Sequence, residues 1–190
     1  MTKIKILEYD ELDSTNNEAK RLVRTARDSE MVDGASSLYG TVVTAKMQTA
    51  GRGRMGKSFY SPGGDSIYAS FILPPPADFA DQRITLLAGE AVSEALEKTT
   101  RYKPEIKGVN DIIVDGLKVC GILTEAIPGA VIVGIGININ IDENDFPDEL
   151  KGVAGSLGLS TGEKAKLFDA LTEAVFRIVG AGCGQESLAL

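Results

Sequence analysis

The chain contains no histidine and no tryptophan, and only two cysteines, Cys120 and Cys183. Without an imidazole there can be no Ser–His–Asp triad, no Cys–His dyad and no ordinary zinc site. Acid–base work then falls to carboxylates and lysines, or the substrates bring their own reactivity. Two cysteines make no disulfide framework. Cys120, inside an apolar segment, reads as a small buried hydrophobe, and Cys183 sits in a Gly-rich tail that offers no motif. No apolar run approaches the ~18 residues of a membrane span, and no secretory leader opens the chain. The expectation is a cytoplasmic, reducing setting without membrane association. Positive charge is scarce as well, with 20 Lys and Arg against 27 Asp and Glu and a net charge of −7. That balance argues against a general nucleic-acid surface, which would need a local basic patch to hold phosphates.

What is present is enough apolar residue for one core: 43% of 190 residues. Lys3–Tyr9 alternates and predicts a strand, and Asn17–Arg27 predicts a helix behind Ser14, Thr15 and Asn16, which also suit a helix cap. Thr41–Met47 and Ser66–Leu73 read as strands, the second stopped by Pro74, Pro75 and Pro76. Asp81–Thr99 has helical spacing. Glu105–Val114 and Leu117–Ala126 read as two strands joined at Asp115-Gly116, a hairpin signal. Ala130–Ile139 is a further strand, 142–158 an acidic loop, and Glu163–Val179 a closing helix. Strands gathered in the middle with helices outside predict an α+β fold with a mixed or antiparallel sheet.

Residues 51–58 read GRGRMGKS. The segment satisfies both the nucleoside-triphosphate loop pattern and the dinucleotide pattern. Each mechanism needs a helix opening at the last glycine, whose N-terminus holds the phosphates. Here Pro62, Gly63 and Gly64 form a turn and a strand follows, so the segment reads as strand, loop, strand. Glycines expose backbone N–H groups, and Arg52 and Arg54 add guanidinium forks beside Lys57. A locally positive loop on an acidic protein suits a small anion.

Asn110 and Asp111 lie on the strand before the hairpin turn and Lys118 just after it, so hairpin pairing brings the trio toward one pocket. An aspartate can hold a metal ion, and a lysine can donate to a developing negative charge. Turn chemistry and surface charge would explain the same trio. Gly134, Gly136 and Asn138 interrupt an apolar strand, which marks close approach of a ligand or simply tight packing.

Taken in order, DSTNNEAK, TAKMQTAGRGRMGKSFYSPGG, NDIIVDGLKVCGILTEA and VGIGININ resemble the catalytic domain of biotin protein ligases. The resemblance covers about residues 8–179. It implies a core of the biotinyl–lipoyl ligase type, related to class II aminoacyl-tRNA synthetases, with residues 1–180 as the domain and 181–190 as a tail. It implies activation of biotin by MgATP to biotinyl-5′-adenylate, then transfer to a lysine of the biotin carboxyl carrier protein of acetyl-CoA carboxylase. It implies that Ser14, Thr15, Asn16, Gln48 and Gly51 meet the biotin rings. Arg52, Gly53 and Arg54 would close over the biotin carboxylate and the adenylate phosphate. Lys118 would stand at the activated carbonyl as a catalytic group with Arg54. Gly121, Leu123, Gly134, Gly136 and Ile137 would wall the biotin slot. Arg52, Arg54, Lys107, Asn110 and Asn138 would serve the nucleotide, and Asp111 the Mg²⁺. A lipoyl or octanoyl transferase and a binding module that transfers poorly are the other readings on this fold. Some members dimerise edge to edge, so a homodimer stays open.

The sequence departs from the family pattern in places. Where members carry a large aromatic before the hairpin, this chain has Gly108, which predicts a cavity unless the space is refilled. Phe59 stands where many members have tryptophan. The family's C-terminal β-barrel is not expected in the few residues after the last helix. The chain opens directly on the core without a helix-turn-helix, so DNA binding is not expected.

Overall fold

The computed structural model describes residues 4–29, 34–64, 66–75 and 83–183. Among them, one seven-stranded sheet runs in the order β1-β2-β3-β7-β6-β5-β4. Strand β1 (Lys5–Leu12) and β2 (Thr41–Gln48) are parallel, as the intervening crossover through helix α1 (Thr15–Asp28) requires. All other pairs are antiparallel: β3 (Ser66–Leu73), β7 (Ala130–Asn138), β6 (Leu117–Ile127), β5 (Asp111–Val114) and β4 (Glu105–Lys107). The mixed α+β sheet expected from the sequence is therefore the fold.

Strand β3, inside the sheet between β2 and β7, is buried along its whole length. Its alternate residues feed two cores. Ile67, Ala69, Phe71 and Leu73 face helices α2 (Arg83–Thr99) and α3 (Thr161–Ala174), while Ile72 faces α1 with Ala19, Val23 and Val43. Helix α1 buries Asn16, Ala19, Lys20 and Val23, one stripe at helical spacing, so the same stripe that packs the core also aims two polar side chains inward. Among the described residues no helix is long and apolar enough to cross a membrane.

Several boundaries differ from the sequence reading. Helix α1 starts at Thr15, and Ser14 caps it without a side-chain hydrogen bond. Helix α3 starts at Thr161, where Ser160 and Glu163 form a reciprocal capping box. It runs on through a π-turn at Val175–Val179 and a last turn at Gly180–Gly182, which brings Cys183 into the core beside them. Lys3, Asp81 and the tail beyond Cys183 lie outside the described residues.

The single strand expected over Glu105–Val114 is two strands folded back on each other, with Lys107 opposite Asp111. Gly108 makes the turn at φ +63° and is exposed, and a Cβ placed there meets nothing within 4 Å. The expected cavity does not exist, because the position is a turn facing solvent. At Asp115 and Gly116 both φ angles are positive, 51° and 81°, the geometry of a two-residue hairpin turn.

Candidate active site

The glycine loop leaves β2, makes a short helical turn at Arg54–Gly56, and closes on itself through a bridge between Arg52 and Ser58. No α-helix opens at Gly56, so neither phosphate-loop mechanism applies. The loop overhangs a cleft of about 320 Å³ whose base is formed by β6 and β7. That volume falls at the lower end of small-molecule sites.

Glycines shape the cleft base. A Cβ on Gly134 would stand 2.2 Å from Asn16 Oδ1, and one on Gly136 would stand 2.5 Å from the Phe59 ring. Gly121 is equally restricted, at 2.8 Å from the same ring. The bare backbone therefore admits Asn16 at one end and Phe59 at the other. Phe59 also meets Tyr68 edge-on at 6.5 Å between centroids. Tyr68 donates to Pro62 O, and burial pushes its phenol up to about 12.

A polar network lines the Asn16 end. Gln48 Oε1 accepts from Thr15 N at 2.8 Å, and Gln48 Nε2 donates to Ser61 Oγ at 2.8 Å. Ser70, fully buried, donates to Asn16 Oδ1 at 2.6 Å, and its oxygen lies 2.8 Å from the Thr15 hydroxyl. Asn16 Nδ2 reaches Leu123 O and Glu125 Oε2. These groups are held in place before any ligand arrives.

At the opposite side, Lys118 Nζ donates to Asp111 Oδ1 at 2.7 Å, Asn110 Nδ2 to the same oxygen at 2.9 Å, and Arg54 to Asn110 Oδ1 at 3.1 Å. A β-bulge makes this possible. Ile112 pairs with Cys120 but Ile113 pairs with Lys118, so Val119 is an extra residue in β6. Regular alternation would have sent Lys118 to the same face as Cys120, toward the helices; the bulge turns it onto the cleft. The strand is held there by Lys118 N to Val153 O and Gly155 N to Lys118 O, both 2.9 Å. Cys120 lies behind it, fully buried, its thiol pushed up by that burial, so it offers no nucleophile.

Of the residues singled out from sequence, Ser14, Thr15, Asn16, Gln48, Arg52, Gly53, Arg54, Asn110, Asp111, Lys118, Gly121, Leu123, Gly134 and Gly136 meet at this one cleft. Four do not line it. Ile137 alternates to the helix-side core, corrected from its expected place in the wall. Gly51 turns behind the loop, its carbonyl accepting from Phe59 N at 2.9 Å. Lys107 is exposed at the end of β4. Asn138 is buried on the same strand face as Gly136; its amide donates to Gly155 O, and its Oδ1 has no partner. The sequence reading missed Lys20, Ser70 and Glu125. Periodicity would have found two of them: Lys20 is four residues from Asn16 on α1, and Glu125 follows Gly121 and Leu123 at alternate positions of β6.

The model of the biotin/lipoate A/B protein ligase family matches residues 23–142. The chain is 45% identical over 131 residues to the bifunctional ligase/repressor BirA of Bacillus subtilis, a match covering 66% of this chain and 40% of that protein. It is 33% identical over 135 residues to the biotin–[acetyl-CoA-carboxylase] ligase of Paracoccus denitrificans, covering 68% and 51%. The chain thus spans about half or less of these curated relatives. Among solved structures, a biotin protein ligase from Aquifex aeolicus in complex with biotin and ATP is similar, with a TM-score of 0.72 at 28% identity over 96% of this chain and 73% of that one. The family model covers more than half of the chain, and the fold agrees with that of a solved ligase: the chain belongs to the biotin/lipoate A/B protein ligase family.

Proposed function

We propose that this chain activates biotin with MgATP to biotinyl-5′-adenylate and passes the biotinyl group to a lysine of a biotin carboxyl carrier protein. One observation carries the reading: a single cleft joins a preformed polar pocket, at Thr15, Asn16 and Gln48, to four cations, Arg52, Arg54, Lys57 and Lys118. An uncharged ring system fits the first part and an acyl phosphate the second. The relatives named as biotin ligases and the neighbour holding biotin and ATP support the same choice.

The chemistry asks little of the protein beyond charge and dryness, which suits a chain without histidine. The biotin carboxylate attacks the α-phosphorus and pyrophosphate leaves. Arg52 and Arg54 stabilise the phosphoryl charge from the loop, and Lys118 donates to the carboxyl oxygen. In the second half the carrier lysine attacks the acyl carbon. Negative charge builds on the carbonyl oxygen, to which Lys118 would donate, and AMP departs. Asn138 does not line the cleft, but its buried Oδ1, without a hydrogen-bond partner, leaves it an acceptor for the nucleotide.

Among the described residues no three metal-ligating side chains cluster. Mg²⁺ is nonetheless compatible, since it commonly takes one or two carboxylates with the remainder from phosphates and water. Asp111 would hold it, and when bound it neutralises phosphate charge.

The test is biotin-dependent pyrophosphate release from MgATP, with and without a carrier domain. Release together with carrier labelling is expected. Biotin binding without release would support the binding-module reading, and lipoate outcompeting biotin would move the substrate to lipoyl chemistry.

A further inference from the structure

Glu125 is absent from every role assigned so far, yet it touches both halves of the pocket. Its Oε2 accepts from Asn16 Nδ2 at 2.9 Å. Its Oε1 accepts from Lys20 Nζ at 2.9 Å and lies 3.4 Å from Arg52 Nη2. We propose that Glu125 is a positioning residue that ties the ring-binding pocket to the arginine loop, with Lys20 as its resident counter-ion and Arg52 as its releasable partner. The proposal rests on the biotin-ligase reading for what the pocket and loop hold.

The two cations are not equivalent. The Lys20 side chain is 11% exposed and arrives from the buried stripe of α1, whereas Arg52 is 44% exposed and arrives on a loop. The shorter, drier contact is the stronger one. One carboxylate facing two cations stays neutralised when one of them leaves. Arg52 can therefore exchange Glu125 for a ligand anion without stranding a half-buried negative charge, whose desolvation would otherwise oppose the move. A second tether, Arg52 Nη1 to Asn17 Oδ1 at 2.9 Å, is neutral and leaves that balance unchanged. Burial alone would push the Glu125 carboxyl up, but Lys20, Asn16 and Arg52 together hold it below its ordinary value, so it stays charged at neutral pH. Meanwhile Oε2 fixes the Asn16 amide, so that its Oδ1 faces Ser70.

Two paired variants test this. Lys20→Met/Glu125→Gln removes both charges, avoids a buried unpaired lysine, and keeps an oxygen for Asn16. Lys20→Met/Glu125→Ala removes that oxygen as well. Amide hydrogen exchange of residues 51–58 in the ligand-free protein reads the tether, and biotin titration reads the pocket. Both variants should show loop exchange faster by about threefold to fivefold, the scale of a partly exposed ion pair. Only the Ala variant should also weaken biotin binding, by about tenfold, as for a lost hydrogen bond to a buried amide. Lys20→Met alone should slow loop exchange, because Arg52 is then the only cation on Glu125. Unchanged loop exchange in the Gln variant would overturn the proposal, as would equal biotin affinity for Gln and Ala. If the parent chain bound no biotin, the functional reading would fall, while the exchange comparison would still decide the tether.

Discussion

Lys118 reaches Asp111 across 2.7 Å because Val119 is an extra residue in its strand. The bulge is the local event that places a cation on the cleft side of the sheet. Replacing Lys118 by alanine should lower the rate of adenylate formation by about 10²-fold to 10³-fold, the range for removing one preorganised donor. Thermal unfolding should shift little, since both partners remain about a third exposed at 31%. Pyrophosphate release and a melting curve on the same sample check this. An unchanged rate would remove Lys118 from its proposed role.

Gly134 and Asn16 share one space. Gly134→Ala would push a methyl to 2.2 Å from Asn16 Oδ1, a rigidly held atom. The amide must leave Ser70 and Glu125, at a cost of about 1–3 kcal/mol in stability. Urea unfolding should show that loss, and biotin titration should show affinity falling with it. A variant as stable as the parent would mean that Asn16 relocates freely.

Among the described residues, the Arg54 side chain is tied to the site through Asn110, at 3.1 Å on an exposed loop. Arg54→Gly should leave pyrophosphate release measurable while the adenylate escapes faster. Labelling of bystander proteins in a mixture should therefore rise. Equal bystander labelling by variant and parent would argue against the loop as a lid.

Gly108 occupies a turn with φ +63°, not a hollow. Gly108→Ala should cost about 1 kcal/mol through left-handed backbone strain. Gly108→Trp should not raise the melting temperature, because there is no cavity to fill. A higher melting temperature in the tryptophan variant would refute the turn geometry.

Glu125 has a folded pKa below its ordinary value of 4.5, despite burial. Its contribution is complete above that value and is lost as pH falls through the lower folded value. Acidification from about pH 5 to about pH 3 should therefore cost the parent more stability than the Lys20→Met/Glu125→Gln variant. Urea titrations at both pH values measure the difference. Equal losses would show that the pair is not coupled to folding.

Local chemistry explains what could be read early. The Asp115-Gly116 turn follows from two residues that tolerate positive φ, and β3 from an unbroken apolar run closed by prolines. The glycine loop declared itself through composition, and the absence of a following helix was legible in Pro62-Gly63-Gly64. Four ordered motifs then carried the family. What could not be read depended on partners distant in sequence. The split at Gly108 replaced an expected strand because β4 turns back to pair with β5, and strand pairing is not a local property. Ile137 and Gly136 are neighbours in sequence, yet only register decides which faces the cleft. Lys118 was a candidate from its type and place, but regular alternation points it at the core; the bulge that corrects this arises where β6 meets β5 and the 153–155 segment. Glu125 and Lys20 are 105 residues apart and become a pair only when α1 lies across the sheet. The sequence by itself determined most of the elements, the composition of the glycine loop and the family. Tertiary structure decided which side chains share a face, because facing is set by register and packing between segments that have no local knowledge of each other.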